Sequence, residues 1–200
     1  MRRILFILAI LFPAGSAIAH HPGERIDEVM AEREPAFEPT DLRRTPRLRG
    51  TDADGGVLRL EARQDRIVVV TFAPEGCGAP CEAQQALLRK VQEGVNITPM
   101  REWVTFLTVG PATGVGWDRA NWHAITSKGD AVKTRANFSA LSDRNGSTPM
   151  VHIIDRGGRH TAIFHGTGFG HVNLILYLSE LANAPPPEPG WFDSILGLFQ

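Results

Sequence analysis

Two hundred residues, 42% apolar and 22% charged, describe one globular domain with extensions. The formal net charge is −1, from 21 basic and 22 acidic side chains, so bulk attraction to nucleic acid or acidic lipid is excluded. The basic residues are scattered, and no internal repeat is present.

Residues 1–19 read as a cleaved secretory signal. Arg2 and Arg3 are a positive start, Ile4 to Phe12 a short apolar core, and Ala17-Ile18-Ala19 a small-residue cleavage site. The apolar run is shorter than the roughly 20 residues of a membrane span. The expected location is periplasmic, or secreted across a membrane, after cleavage near Ala19. In such an oxidising compartment two close cysteines form a disulfide unless a reductant or a metal intervenes. Cleavage there exposes His20-His21 beside a free amine, a copper-chelating combination. Two solvated residues on a tail are the simpler reading.

Residues 20–46 read as a linker, with one short amphipathic helix around Ile26, Val29 and Met30 before Pro35. The folded domain is expected over residues 47–183. Arg47 to Leu60 reads as a hairpin turning at Asp54-Gly55-Gly56. Ile67 to Phe72 is β-branched and apolar without alternation, the pattern of a strand covered on both faces. Pro74 and Gly76 end it. A helix follows from about Glu82, its apolar face marked by Ala83, Ala86, Leu87 and Val91, with Gly94 as its cap.

Trp103 to Val109 is a second buried strand, closed by Gly110-Pro111. Trp117 to Ile125 reads as a helix, with Asp118 near its start. Residues 126–147 are polar and turn-rich, with Val132, Phe138 and Leu141 to bury. Thr148-Pro149 introduces a strand through Asp155. Arg156 to Arg159 turns it, and His160 to His165 returns antiparallel. A glycine-rich loop to Gly170 leads into a last helix, Val172 to Ala182. Residues 184–200 are a proline-rich linker and an amphipathic tail. In the tail, Trp191, Phe192, Ile195, Leu196 and Phe199 share a face suited to its own domain, a partner or a membrane surface. The whole is an α/β layout with a central mixed sheet flanked by helices.

The only two cysteines, Cys77 and Cys81, fall where the first buried strand hands over to a helix. Open α/β sheets place their sites at that edge. Backbone N–H groups at a helix start favour a thiolate, and Cys77, before the turn, is the candidate nucleophile with Cys81 as resolving thiol. Glu75 and Glu82 oppose a strongly acidic thiol, and Arg89 and Lys90 lie too far along the helix to offset them by sequence alone. An inert disulfide stapling the loop is the structural alternative, and so short a loop stabilises little.

The order of these motifs resembles the Sco/SenC family of thioredoxin-fold proteins over roughly residues 45–183. The carriers are the leading hairpin, the strand into Cys77-x-x-x-Cys81, Phe106 to Pro111, and Ile153-Ile154-Asp155-Arg156-Gly157-Gly158. The resemblance implies a thioredoxin-like fold and an extracytoplasmic protein. It also implies copper held by the two cysteines and a histidine, and copper delivery to, or thiol reduction of, an oxidase copper-site subunit. Three departures stand out. The family's ligand histidine position is Ser147, its proline after the first cysteine is Gly78, and its aspartate before proline is Gly110. Thr148-Pro149 resembles the cis-proline of thiol oxidoreductases.

Two thiolates suit Cu(I), and a further nitrogen is expected from His165 or His171. His152 is expected to point away from the Pro149 side as a satisfied or half-exposed strand histidine. His123 and His160 are expected at the surface. The leading expectation is thiol and copper handling in oxidase copper-site assembly. The alternatives are a metal-independent thiol–disulfide oxidoreductase acting on client protein thiols, and a non-catalytic binding module with a structural disulfide.

Overall fold

The computed structural model describes residues 25–111, 116–144 and 148–185. The signal segment, His20-His21, Ser147 and the tail from residue 186 lie outside the described residues. Helices α1 (Ile26–Arg33), α2 (Ala79–Asn96), α3 (Ala131–Ser139) and α4 (His171–Asn183) surround one sheet. Its strands are β1 (Phe37–Arg44), β2 (Arg49–Asp52), β3 (Val57–Arg59), β4 (Ile67–Phe72), β5 (Val104–Val109), β6 (Trp122–Ser127), β7 (Met150–Ile154) and β8 (Arg159–His165). The sheet order is β1-β8-β7-β4-β5-β6-β2-β3. β4, β5 and β6 run parallel, while β7 pairs antiparallel with β4. This is an α/β thioredoxin-like architecture.

β4 is central because Ile67, Val68, Val69 and Val70 are buried alternately into two cores. Val69 faces Leu88, Val91 and Val95 of α2 and Leu174 and Leu178 of α4. Val68 and Val70 face Leu48, Leu107, Ile125 and Phe138 of α3. Covering by helices on both sides removes the polar alternation that an exposed strand carries.

The hairpin, both buried strands, the β7–β8 return and the last helix form as the sequence predicts. Four elements differ. Residues 37–44 are not linker: β1 pairs with β8 as an edge strand. Pro39, the charged residues and a register shift between Pro39 and Arg43 disguise it, and edge strands tolerate all three. Trp122–Ser127 is strand β6, not helix. Asp118, the expected helix start, instead closes a turn by accepting from the Ala120 N–H, 3.0 Å, and is held by the side chains of Asn96 and Arg101. α3 is a helix in the stretch read as turns, capped where Asp130 accepts from the Lys133 N–H at 2.9 Å. Gly94 is no cap. It lies inside α2, where a Cβ would stand 2.4 Å from Ile175 Cδ1, so glycine lets α4 approach.

Candidate functional site

β4 ends at Phe72, and after a six-residue connection α2 begins at Ala79. Cys77 and Cys81 are joined by a disulfide across this junction, with Cα atoms 5.8 Å apart. Cys81, in the first turn of α2, is 6% exposed. Cys77, in the loop before it, is half-buried. The pair is thus asymmetric, with the outer sulfur at Cys77.

The loop conformation explains one departure from the Sco/SenC pattern. Gly78 has φ +61°, while proline is fixed near −65°. Proline appears instead at Pro80, inside the first turn of α2, where a missing N–H costs nothing. Gly110 has a similar origin. At φ +143° its Cβ would stand 2.1 Å from the Ala73 carbonyl oxygen, so any side chain there collides with the start of the cysteine loop.

Two clefts open on the disulfide. One, about 440 Å³, is lined by Glu75, Cys77, Cys81, Glu82, Gln85, Arg89, Pro111 and Trp117. Arg89 therefore does reach the neighbourhood of the sulfurs. The other, about 290 Å³, is lined by Phe72, Pro74, Cys77, Cys81, Arg135, Ser139, Thr148, Pro149, Met150 and His152. Pro149 shares this second cleft with both cysteines, but the Thr148–Pro149 peptide is trans, which corrects the cis-proline expectation. The Gly166 N–H donates to the Pro149 carbonyl at 2.7 Å, so Pro149 continues the extended ladder of β7, where trans is the ordinary geometry.

Below the pair, a buried polar chain ties α2 to the sheet. The Trp122 indole N–H donates to Thr108 Oγ1 at 2.9 Å, Thr108 donates to Gln85 Oε1 at 3.2 Å, and Gln85 donates to Thr71 Oγ1 at 3.1 Å. Gln85 also lines the first cleft, and Gln84 donates to the Gly166 carbonyl. Nothing in the sequence singled out Gln84 or Gln85, because polar residues on a helix read as its wet face.

The histidines sort differently from the sequence expectation. His165 Nε2 lies 2.5 Å from Glu38 Oε2, and His171 is the first residue of α4. Neither lines the clefts at the sulfurs. His152 does, although it was expected on the other side. Alternation along β7 puts Met150, His152 and Ile154 on one face, and Pro149 precedes the strand and escapes that alternation. His152 is 1% exposed, and its Nδ1 lies 3.0 Å from His160 Nε2. His160, expected at the surface, is fully buried and bonds Thr40 Oγ1 through Nδ1 at 2.7 Å. Burial lowers the pKa of both rings, His160 to about 4 and His152 well below its usual range. Both are neutral at pH 7.

Glu38, from the strand read as linker, is a further buried ionisable group. Burial alone would raise its carboxyl. Hydrogen bonds from Ser142, the Asp143 N–H and His165 outweigh that and hold it below the usual glutamate range. Among the described residues, no three His, Cys, Asp or Glu side chains form a group able to hold a metal ion. None of the described helices is long and apolar enough to cross a membrane.

No sequence-family profile matches the chain, and no curated protein matches it in sequence. Solved structures do. BsSco, described as a member of the Sco family of cytochrome c oxidase assembly proteins, superposes with a TM-score of 0.60 at 12% identity, over 74% of this chain and 98% of that one. Copper-bound yeast Sco1 gives 0.56 at 11% identity, over 72% and 96%. The thioredoxin domain of a Bacteroides vulgatus thiol-disulfide oxidoreductase gives 0.51 at 19% identity, over 71% and 97%. The chain has the thioredoxin-like fold that Sco/SenC proteins share with thiol–disulfide oxidoreductases.

Proposed function

We propose that this chain is an extracytoplasmic thiol–disulfide exchange protein, with Cys77 as the attacked and attacking sulfur and Cys81 as the resolving one. The observation that carries the reading is the asymmetric disulfide beyond the C-terminal end of β4, with Cys77 the more exposed cysteine and two clefts lined by both. A client thiolate attacks Cys77 Sγ, the Cys77–Cys81 bond breaks, and Cys81 leaves as a thiolate that takes a proton. A second client thiolate attacks the client sulfur of the mixed disulfide, and Cys77 leaves. The client dithiol loses two electrons and two protons, and the protein gains them. The reverse direction uses the same steps. The start of α2, with its backbone N–H groups, favours the leaving thiolate.

The expected signal over residues 1–19 supports the location, and the fold shared with Sco proteins supports an oxidase copper-site subunit as client. Copper is a second reading, favoured by the copper-bound Sco1 neighbour and by two soft sulfurs. The fit is partial. Reduction frees Cys77 and Cys81 as Cu(I) donors, but His165 is engaged with Glu38 and supplies no nitrogen at the sulfurs. Copper would then be cargo carried by two thiolates.

The test is catalysed reduction of insulin disulfides by dithiothreitol. Wild type accelerates it and Cys77→Ser does not. Equal rates for the two contradict the exchange reading. Copper is judged separately: if the reduced wild type binds Cu(I) no more tightly than Cys77→Ser, it is not cargo.

A further inference from the structure

Beside the cysteine loop lies a third hollow that thiol exchange with a small molecule does not need. It measures about 320 Å³ and is lined by Phe72, Pro74, Val109, Pro111, Val132 and Arg135, among others. Phe72, Pro74 and Arg135 also line the cleft that holds both sulfurs, so hollow and cleft are continuous around Pro74. α3 forms its outer wall. Phe138 on the inner face of that helix is fully buried, whereas Val132 is 69% exposed, a large apolar group left in water beside a reactive site. Among the described large apolar residues, only Ile97 is more exposed.

We infer that this hollow docks an extended segment of the client protein, seating an apolar side chain close in sequence to the client's reacting cysteine and a carboxylate beside it. The inference rests on the thiol-exchange reading and names the chemistry of the client. The apolar preference follows from the lining: Phe72, Pro74, Val109, Pro111 and Val132 meet there, and covering Val132 removes exposed apolar surface. The carboxylate preference follows from charge. Arg135 stands between hollow and cleft, and Lys128 and Lys133 directly follow the lining residues Ser127 and Val132. None of these three cations forms an ion pair among the described residues. Acids are near as well, and Asp52 and Asp54 line the adjoining hollow on the β6 side, away from α3. Asp130 is occupied in capping α3, and Glu75 lies on the cysteine-loop wall. The α3 side therefore presents more cation than acid, and the complementary partner is anionic there. Continuity matters as much as composition. A segment bound along α3 carries its cysteine to the Cys77 side without leaving the surface, which turns encounter into positioning.

The experiment reduces the oxidised full chain with two dithiol peptides and with dithiothreitol, following Cys77–Cys81 opening by stopped-flow fluorescence. One peptide places Leu and Glu beside its cysteines. The other replaces Glu by Lys and Leu by Ser. Val132→Asp is the variant. Asp in the first turn of a helix is compatible with its dipole, and the position is exposed, so the fold is retained. The inference predicts that the Leu/Glu peptide reacts about tenfold faster than the Lys/Ser peptide, and that Val132→Asp removes most of that advantage, about 1.4 kcal/mol. Dithiothreitol should reduce wild type and variant within about twofold of each other. Equal rates for the two peptides, or an unchanged advantage in Val132→Asp, overturn the docking inference while leaving exchange intact. Failure of dithiothreitol to reduce the native wild type overturns the exchange reading instead.

Discussion

His152 Nδ1 lies 3.0 Å from His160 Nε2, both rings buried behind the cysteine cleft. The Thr40 hydroxyl donates to the His160 carbonyl at 2.9 Å and so accepts from His160 Nδ1–H, which leaves His160 Nε2 to accept from His152 Nδ1–H. Two neutral rings satisfy this chain, and a proton added to it is a buried charge with no partnering carboxylate in the chain. Arg43 lowers the His160 pKa further and Glu38 opposes it, while His165 adds to the lowering at His152.

The sign of the pH effect follows. The unfolded chain binds protons at these histidines from about pH 6.5 downward, the folded chain at His160 only near 4. Stability is therefore full above about pH 6.5 and falls as pH drops toward 4, by about 3 kcal/mol from His160. Urea midpoints at pH 7, 6 and 5 check this. A pH-independent midpoint across that range contradicts buried neutral histidines.

Glu38 predicts a second acid sensitivity. Its carboxylate, 8% exposed, gathers Ser142, the Asp143 N–H and His165, and joins β1 to the segment after α3 and to the end of β8. Its folded pKa lies below the usual value, so its contribution is present at neutral pH and lost as pH falls through the glutamate range. Glu38→Ala leaves buried donors without an acceptor and should cost about 3 kcal/mol by urea denaturation at pH 7. A loss under about 0.5 kcal/mol, the scale of a plain surface substitution, would sink this account.

β1 and α3 also show what the sequence conceals. β4 and α2 were legible because apolar runs and a helical period report burial directly, and the cysteines between them marked the site. β1 was not, since its inward residues Glu38 and Thr40 are polar and are satisfied by groups over a hundred positions away. β6 was misread because a short stretch with two tryptophans fits either period. The third-ligand expectation for His165 depended on Glu38, which no local pattern joins to it. The hollow beside α3 escaped notice because Val132 reads as a residue to bury.

The two glycines that set this chain apart from the Sco/SenC pattern are testable as geometry. Gly110→Ala drives a Cβ to 2.1 Å from the Ala73 carbonyl, and the backbone there has little room to yield. It should destabilise by more than about 2 kcal/mol. Gly78→Pro, which restores the family's proline, is incompatible with φ +61° and should destabilise by more than about 1 kcal/mol. Thermal melts of both variants check this, and a Gly78→Pro protein as stable as wild type contradicts the loop conformation described.

Asp130 fixes the wall of the proposed client hollow. Its carboxylate accepts from the Lys133 N–H at 2.9 Å, so Asp130→Ala should cost about 1 kcal/mol. The loss is local, and amide exchange should quicken in Ala131–Ser139 and remain unchanged in α2. Uniform quickening across both helices argues against a local cap.

The most direct test of the account is reduction of the Cys77–Cys81 disulfide in the native protein. Oxidised protein is incubated with dithiothreitol, then quenched with a thiol-labelling reagent, while circular dichroism monitors the fold. The account predicts that Cys77 is labelled first and Cys81 later, with both thiols free while the native spectrum persists. A disulfide that opens only when the protein unfolds would contradict it and leave the pair as a structural staple.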